Sequence, residues 1–217
     1  MGARKRSFAN NLTTSGVLQA AAINNASLSS ITDVPSGVKG KLTLISTQTA
    51  SSDSTISFTT DITSSYKTYI FRFINIHPSN NTTTFRMNGS TDGGSNYNVT
   101  KTTSFSAANH DEADTTTSLA HAAGASLGQS TGVQSIATSV GNDADENFNG
   151  EMWLFNPSNT TYVTHFIGVN QISNHSDTSA QEFFGGYFNT TSAINGIQFS
   201  VSTGTIESGT FALYGIA

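Results

Sequence analysis

Most of this chain alternates between short apolar runs and clusters of Gly, Asn, Asp and Ser, which restricts the folds open to it. Apolar residues recur with a period of two at Leu42 and Leu44, and again at Ile56 and Phe58. A period of two places alternate side chains on one face of a β-strand. Because turn-forming residues separate the runs, we predict an all-β fold over residues 39–217, an antiparallel β-sandwich of jelly-roll type.

One run, Tyr69–Ile76, is apolar on nearly both faces, as in a central strand that is covered on two sides. Further strands are expected at Thr83–Met87, Asn96–Phe105, Glu151–Phe155, Tyr162–Val169, Glu182–Asn189, Ile197–Val201 and Thr210–Ile216. Between them, Ser106–Gly141 is rich in Ala, Ser, Thr and Gly and has no clear period. We expect loops there, with one or two short strands, which carry function or contact a neighbouring subunit.

The first 38 residues differ from the rest, since a basic start leads into a polar stretch with spaced apolar residues. We predict an extended N-terminal arm that docks on another protein, with one short helix near 17–23, because so short a segment does not fold alone. A frayed terminus is the alternative interpretation. The residues expected to dock are Arg4, Lys5, Arg6, Phe8, Leu12, Val17 and Leu18.

Charge is distributed very unevenly along the chain. All nine Lys and Arg residues lie at or before Lys101, whereas ten of the fourteen Asp and Glu residues follow it. A surface of this kind lacks the basic patches that bind phosphate backbones, so no nucleic-acid partner is expected. No run approaches the ~18 apolar residues of a membrane span, and no secretion signal is recognisable. The absence of cysteine excludes disulfides, thiolate metal sites and cysteine nucleophiles.

Two motifs resemble known sites and lack part of the required pattern. Gly124–Gly128 matches the G-x-S-x-G nucleophile elbow around Ser126, but no clear strand precedes it and no amphipathic helix follows. Asp143–Asn147 begins like a calcium loop, yet Phe148 replaces the turn glycine and Leu154 the bidentate glutamate. We therefore predict no catalytic residues, and we interpret Asp143 and Asp145 as solvated carboxylates with calcium as the alternative.

The histidines, and the aromatic residues that could stack on a ligand, give weaker indications of a binding site. His77, His110, His121, His165 and His175 are scattered and show no helical ligand spacing, so we expect no metal and no cofactor. A three-fold axis that gathers one histidine from each chain is the alternative. Trp153 is expected in the core, although with Tyr97, Tyr162 and Tyr187 it could stack on sugars.

Several segments resemble the small virion structural proteins of marine tailed phages, particularly those that infect cyanobacteria and related ocean bacteria. These segments are Tyr69–Pro78, Ser90–Tyr97, Leu154–Ser158, Gly186–Asn195 and Gly209–Ile216, and the resemblance covers most of residues 40–217. Within the arm, Phe8–Leu12 and Ser15–Val17 are similar to the attachment segments of phage tail-fibre and appendage proteins.

The resemblance implies a non-enzymatic structural component located in the virion, a tail-fibre or appendage subunit docked by its arm. Its expected partners are other virion proteins of the tail or capsid and further copies of itself, with a trimer as one arrangement. A capsid decoration (cement) protein is the first alternative. The second is a carbohydrate-binding module or depolymerase that acts on host surface glycans.

Overall fold

Antiparallel strand pairing organises residues 42–216, which are the residues that the computed structural model describes. No α-helix occurs within this range, and a 3₁₀ turn spans Ala123–Ala125. The strands are β1 (Leu42–Asp53), β2 (Thr55–Phe58), β3 (Thr68–Pro78), β4 (Thr83–Ser90), β5 (Lys101–Asp111), β6 (Thr117–His121), β7 (Gln134–Val140), β8 (Phe148–Phe155), β9 (His165–Asn174), β10 (Thr178–Phe188), β11 (Gly196–Val201) and β12 (Ile206–Ile216).

The strands form one sheet that is nearly closed into a barrel. Its order is β1-β12-β3-β8-β9-β7-β4-β11-β2, and β10, β5 and β6 continue outward from β9. Only Ser54 separates β1 from β2 in the chain, so the two ends of this path are covalently adjacent. The all-β antiparallel prediction is confirmed, and the sandwich or jelly-roll form remains a prediction.

The barrel has a weak junction between β7 and β9, where a single bridge pairs Val140 with Asn174. By contrast, β9 pairs along its length with β8 on one side and β10 on the other. The junction therefore divides the sheet into two parts. We call β1-β12-β3-β8-β9-β10-β5-β6 the long run and β7-β4-β11-β2 the short run.

Phenylalanines from both runs pack together at the centre of the core. Phe58 on β2 and Phe199 on β11 come from the short run, and Phe71, Phe73 and Phe211 come from the long run. The ring of Phe199 lies 5.3 Å from that of Phe71, 5.2 Å from that of Phe73 and 5.4 Å from that of Phe211. All five are at most 1% exposed, so this cluster joins the two runs.

The central strand β3 differs from its prediction in one respect. Its alternate residues Tyr69, Phe71 and Phe73 are buried as expected, but Arg72 and Ile74 on the opposite face are exposed. Ile70 on that face is 3% exposed, so the expectation that both faces of this strand are covered holds at Ile70 and is wrong at Arg72 and Ile74. The core covers one face, and the other lies on the outside of the long run.

Strand β1 also presents unexpected residues to the outside. Leu42 and Leu44 are 43% and 54% exposed, and a shift in register between Leu44 and Ser46 lets Ile45 pack against the core instead. More exposed and less exposed residues alternate along β1 as predicted, but the bulge shifts this alternation by one residue. Leu42 and Leu44 therefore lie on the exposed face.

The tract 106–141 contains two short strands between loops, β6 and β7, as expected, together with the end of β5. Strand β5 continues through it to Asp111 and pairs with β6, and β7 buries Ile136, Ala137 and Val140. The arm (1–38), with its docking residues and the expected helix near 17–23, lies outside the described residues.

Replacing Phe199 by Ala removes the side chain that contacts both runs, so the free energy of unfolding should fall by about 3–5 kcal/mol. The control is Tyr162→Ala, at a side chain that is 73% exposed, which should change it by less than about 0.5 kcal/mol. Urea unfolding at one protein concentration measures both. Equal effects would show that the aromatic cluster does not hold the runs together.

Candidate functional site on the outer face of the long run

The strand register defines which side chains share the outside of the long run, since residues opposite each other project from the same face. Three rows cross it from β1 to β5. The first contains Leu42, Ile216, Thr68, Phe155, His165, Tyr187 and Thr102; the second, Leu44, Tyr214, Ile70, Trp153, Ile167, Gly185 and Ser104; the third, Thr47, Ala212, Arg72, Glu151, Val169, Phe183 and Ser106. We call these rows, with their continuations along the same strands and onto β6, the outer face.

The outer face holds most of the exposed large hydrophobic side chains of residues 42–216. Eight large hydrophobic side chains are exposed there, and six belong to this face: Leu42, Leu44, Ile74, Leu119, Ile167 and Phe183. Tyr162 and Val133 are the other two. Single exposed hydrophobic residues are ordinary, whereas a contiguous apolar patch marks an interaction site.

A groove crosses the middle of this face. It has a volume of ≈460 Å³ and lies among Trp153, Ile167 and Phe183. Gly185 leaves a gap in the second row, because no side chain stands between Ile167 and Ser104. A second depression of ≈450 Å³ continues from Gly185 toward the first row. The face therefore carries both projecting side chains and hollows beside them.

One ion pair provides all the formal charge in the three rows. Arg72 Nε lies 3.7 Å from Glu151 Oε2, and the Trp153 indole N–H donates to Glu151 Oε1 at 2.8 Å. The Arg72 guanidinium also lies 5.8 Å from the centre of the Tyr214 ring, within the range of a cation–π contact. The middle of the outer face is therefore neutral and internally hydrogen-bonded.

The position of Trp153 corrects the sequence prediction. This residue was expected in the core, but its neighbours Met152 and Leu154 fill the core and Trp153 lies half-buried on the outer face. Of the three tyrosines considered with it for sugar stacking, Tyr187 shares this face, while Tyr97 and Tyr162 lie in loops.

A second candidate region is a polar cavity of ≈470 Å³ beside the weak junction. Hydroxyls and amides line it, and Glu182 of β10 is 2% exposed. Thr138 of β7 donates both its backbone N–H and its hydroxyl to the Glu182 carboxylate. These bonds link the two runs where the backbone ladder has only one bridge. Burial raises the pKa of Glu182 to about 7.

Lys101 is the only Lys or Arg on the strands that line this cavity, and it does not pair with Glu182. Its ammonium donates to the Gly132 carbonyl at 2.6 Å, and burial lowers its pKa to about 8. The other carboxylate of the cavity, Asp111, accepts from the Thr115 hydroxyl and from backbone N–H groups, which lower its pKa. The cavity therefore contains two carboxylates, and neutral hydrogen-bond donors rather than cations interact with them.

The remaining sequence candidates have local structural roles. The Ser126 hydroxyl donates to the Ala122 carbonyl and accepts from the Phe105 N–H, each at 3.0 Å, so it ties a loop to β5. In the acidic loop, Glu146 accepts from the Asp143 N–H at 2.8 Å. Across residues 42–216, no group of three His, Asp or Glu side chains is arranged to hold a metal ion.

The histidines lie at separate places. His77 contacts Glu207 at 2.9 Å, His110 contacts Asp114 at 3.0 Å, and His165 packs near Tyr187 on the outer face. His175 lies at the junction, where its ring contacts the Ser139 carbonyl at 3.2 Å. The described chain therefore does not gather them into one site.

Comparisons with known proteins give no identification, since no family model, curated protein or solved structure matches this chain. Within the described residues, no helix has the length and apolar character needed to cross a bilayer.

Glu182 should make stability depend on pH. Its folded-state pKa of about 7 exceeds the ordinary value of 4.5, so ionisation is harder in the folded protein. The stabilising effect of its bound proton is complete below pH ~4.5 and is lost as the pH rises through about 7, a loss of about 3 kcal/mol.

Urea unfolding at pH 5 and pH 8 measures this slope. Glu182→Gln should flatten it, whereas the matched control Asp145→Asn, in an exposed loop, should keep the wild-type slope. A wild-type slope that Glu182→Gln leaves unchanged would assign the effect to other groups.

Proposed function

We propose that this chain is a non-enzymatic structural component of a tailed-phage virion, a tail-fibre or appendage subunit that residues 1–38 dock and whose β-domain faces outward. The observation that carries this proposal is the apolar outer face, which a protein partner must cover to remove it from water. The resemblance of the strand segments to phage structural proteins supports a phage virion as the particle into which this chain assembles. Localisation in the virion follows from the same proposal.

The composition of the chain supports an assembly role. Lys and Arg together make up nine of 217 residues, and Ser, Thr and Asn supply much of the polar surface. Short side chains lose less rotamer entropy at an interface than Lys or Arg does. Contacts between subunits therefore cost less side-chain entropy on this surface.

We also propose a more specific fold than a nearly closed barrel. The inner faces of the long and short runs meet through Phe58 and Phe71, whose rings are 5.3 Å apart, and through Phe85 and Phe148, 4.7 Å apart. Two sheets that face each other through one core are the arrangement of a β-sandwich. We therefore propose that the barrel is flattened into a jelly-roll-like sandwich.

Deleting residues 1–38 should leave the β-domain folded and abolish its incorporation into particles. Tagged full-length and truncated chains are supplied during phage assembly, and gold-labelled antibody against residues 39–217 locates them on purified particles. Circular dichroism of the truncated chain checks its fold. The triple variant Arg4→Ala, Lys5→Ala and Arg6→Ala separates the basic residues from the rest of the arm.

Label on the tail supports an appendage, and label over the shell in hundreds of copies identifies a capsid decoration protein instead. A truncated chain that incorporates as well as the full-length one would remove the docking role of the arm. Particles without label would overturn the virion proposal.

Glycan binding is the second candidate function, because Trp153 lies on the surface beside a groove and Glu151 offers an acceptor there. Aromatic faces and carboxylates are the usual partners of sugar rings and hydroxyls. If this candidate is right, a panel of bacterial surface glycans should bind the wild type, and Trp153→Ala should reduce binding at least about tenfold. Tyr162→Ala, in a loop, is the matched control, and a blank panel counts against the candidate.

A further inference from the structure

We infer that a second copy of this chain covers the outer face, in a two-fold dimer with the two faces packed together. The inference rests on the proposed assembly role, and it identifies a second copy of the chain as the partner that covers the outer face. Three properties of the face support it: its size, its neutrality and its combination of projections and hollows.

The size of the face matches a stable protein interface. Seven strands at about 4.8 Å spacing and three rows at about 6.8 Å give a patch of roughly 700 Å². Standard interfaces bury about 800 Å² on each partner. The continuation of the patch to Ile74 and Leu119 extends it beyond the three rows.

The charges of the face permit closure against an identical surface. Arg72 and Glu151 already pair with each other, and Trp153 donates to the same carboxylate. Because both charges belong to one chain and lie 3.7 Å apart, two copies can meet without adding net charge to the interface. A strongly basic or acidic partner would find no complementary field in these rows.

The face carries both projecting side chains and hollows. Ile167 and Phe183 project, with 53% and 43% of their surface exposed, and the hollow at Gly185 lies between Ile167 and Ser104. Face-to-face packing about 10 Å apart would let side chains of one copy enter the hollows of the other. Each copy supplies both parts of this contact.

Two-fold symmetry follows from the number of apolar patches. A two-fold axis joins a surface to itself, whereas a three-fold ring joins two different surfaces of each copy. In residues 42–216, the exposed large hydrophobics outside the outer face are Val133 and Tyr162. These are two loop residues against six on the outer face, so the described structure favours a dimer over the trimer suggested by the resemblance.

Size-exclusion chromatography with light scattering tests the inference on the full chain. The wild type should elute with about twice the 22.8 kDa mass of one chain. Ile167→Asp and Phe183→Asp should each weaken dimerisation at least about 30-fold, since central apolar contacts carry most interface energy. The control Tyr162→Asp should remain dimeric. Circular dichroism confirms that each variant is folded.

Symmetry is measured separately, and the absence of cysteine makes this simple. A spin label on a single Ser51→Cys, at an exposed position of β1 beyond the three rows, should give one distance between labels and the modulation depth of two spins. A monomeric wild type, a trimer, or a dimer that survives both Asp variants would overturn the inference. So would a monomer that binds glycans through Trp153, because the face would then have another occupant.

These outcomes are distinct from those of the virion proposal. A monomeric chain that still labels particles overturns the dimer alone. A dimeric chain that is absent from particles overturns the virion role and leaves the dimer standing.

Discussion

The contacts of Phe199 with the phenylalanines of β2, β3 and β12 determine how the rest of the domain is arranged. Phe71, Phe73 and Phe211 must point inward to meet it, so their neighbours in sequence point outward. Strand pairing then passes that alternation to β8, β9 and β10. A slip of one residue would exchange the two faces of the long run, which is why the core and the outer face are specified together.

The sequence predicts strands better than it predicts their faces. Period two locates β2, where Ile56 and Phe58 are buried, but in β8 the residues Met152, Trp153 and Leu154 are all apolar and carry no face signal. Burial of Met152 and Leu154 leaves Trp153 outside. At β1 the bulge decides the face, and a bulge depends on pairing with β12 rather than on local sequence.

The candidate site depends still more on distant pairing. Its central row joins β1, β12, β3, β8, β9, β10 and β5, so no local pattern could reveal that Ile167 and Gly185 are opposite each other. The bounds of β7, one of the short strands expected in 106–141, could not be predicted because few of its residues are apolar and its junction partners Glu182 and Asn170 are polar. The Asn170 amide donates to the Ile136 carbonyl, a contact separated by 34 residues. Such side-chain contacts take the place of backbone hydrogen bonds between strands, and they produce no periodic pattern in the sequence.

The absence of cations after Lys101 has different consequences at the junction and on the outer face. The buried carboxylates Glu182 and Glu146 accept from the Thr138 and Asp143 backbone N–H groups, and Glu182 also accepts from the Thr138 hydroxyl. Glu151 is the exception, since the sheet order places β3, with Arg72, beside β8. Within residues 42–216 this is the one ion pair that joins a Lys or Arg side chain to a carboxylate, and it leaves the outer face without net charge. The topology thus makes an apolar face that can close on a partner without burying an unpaired charge.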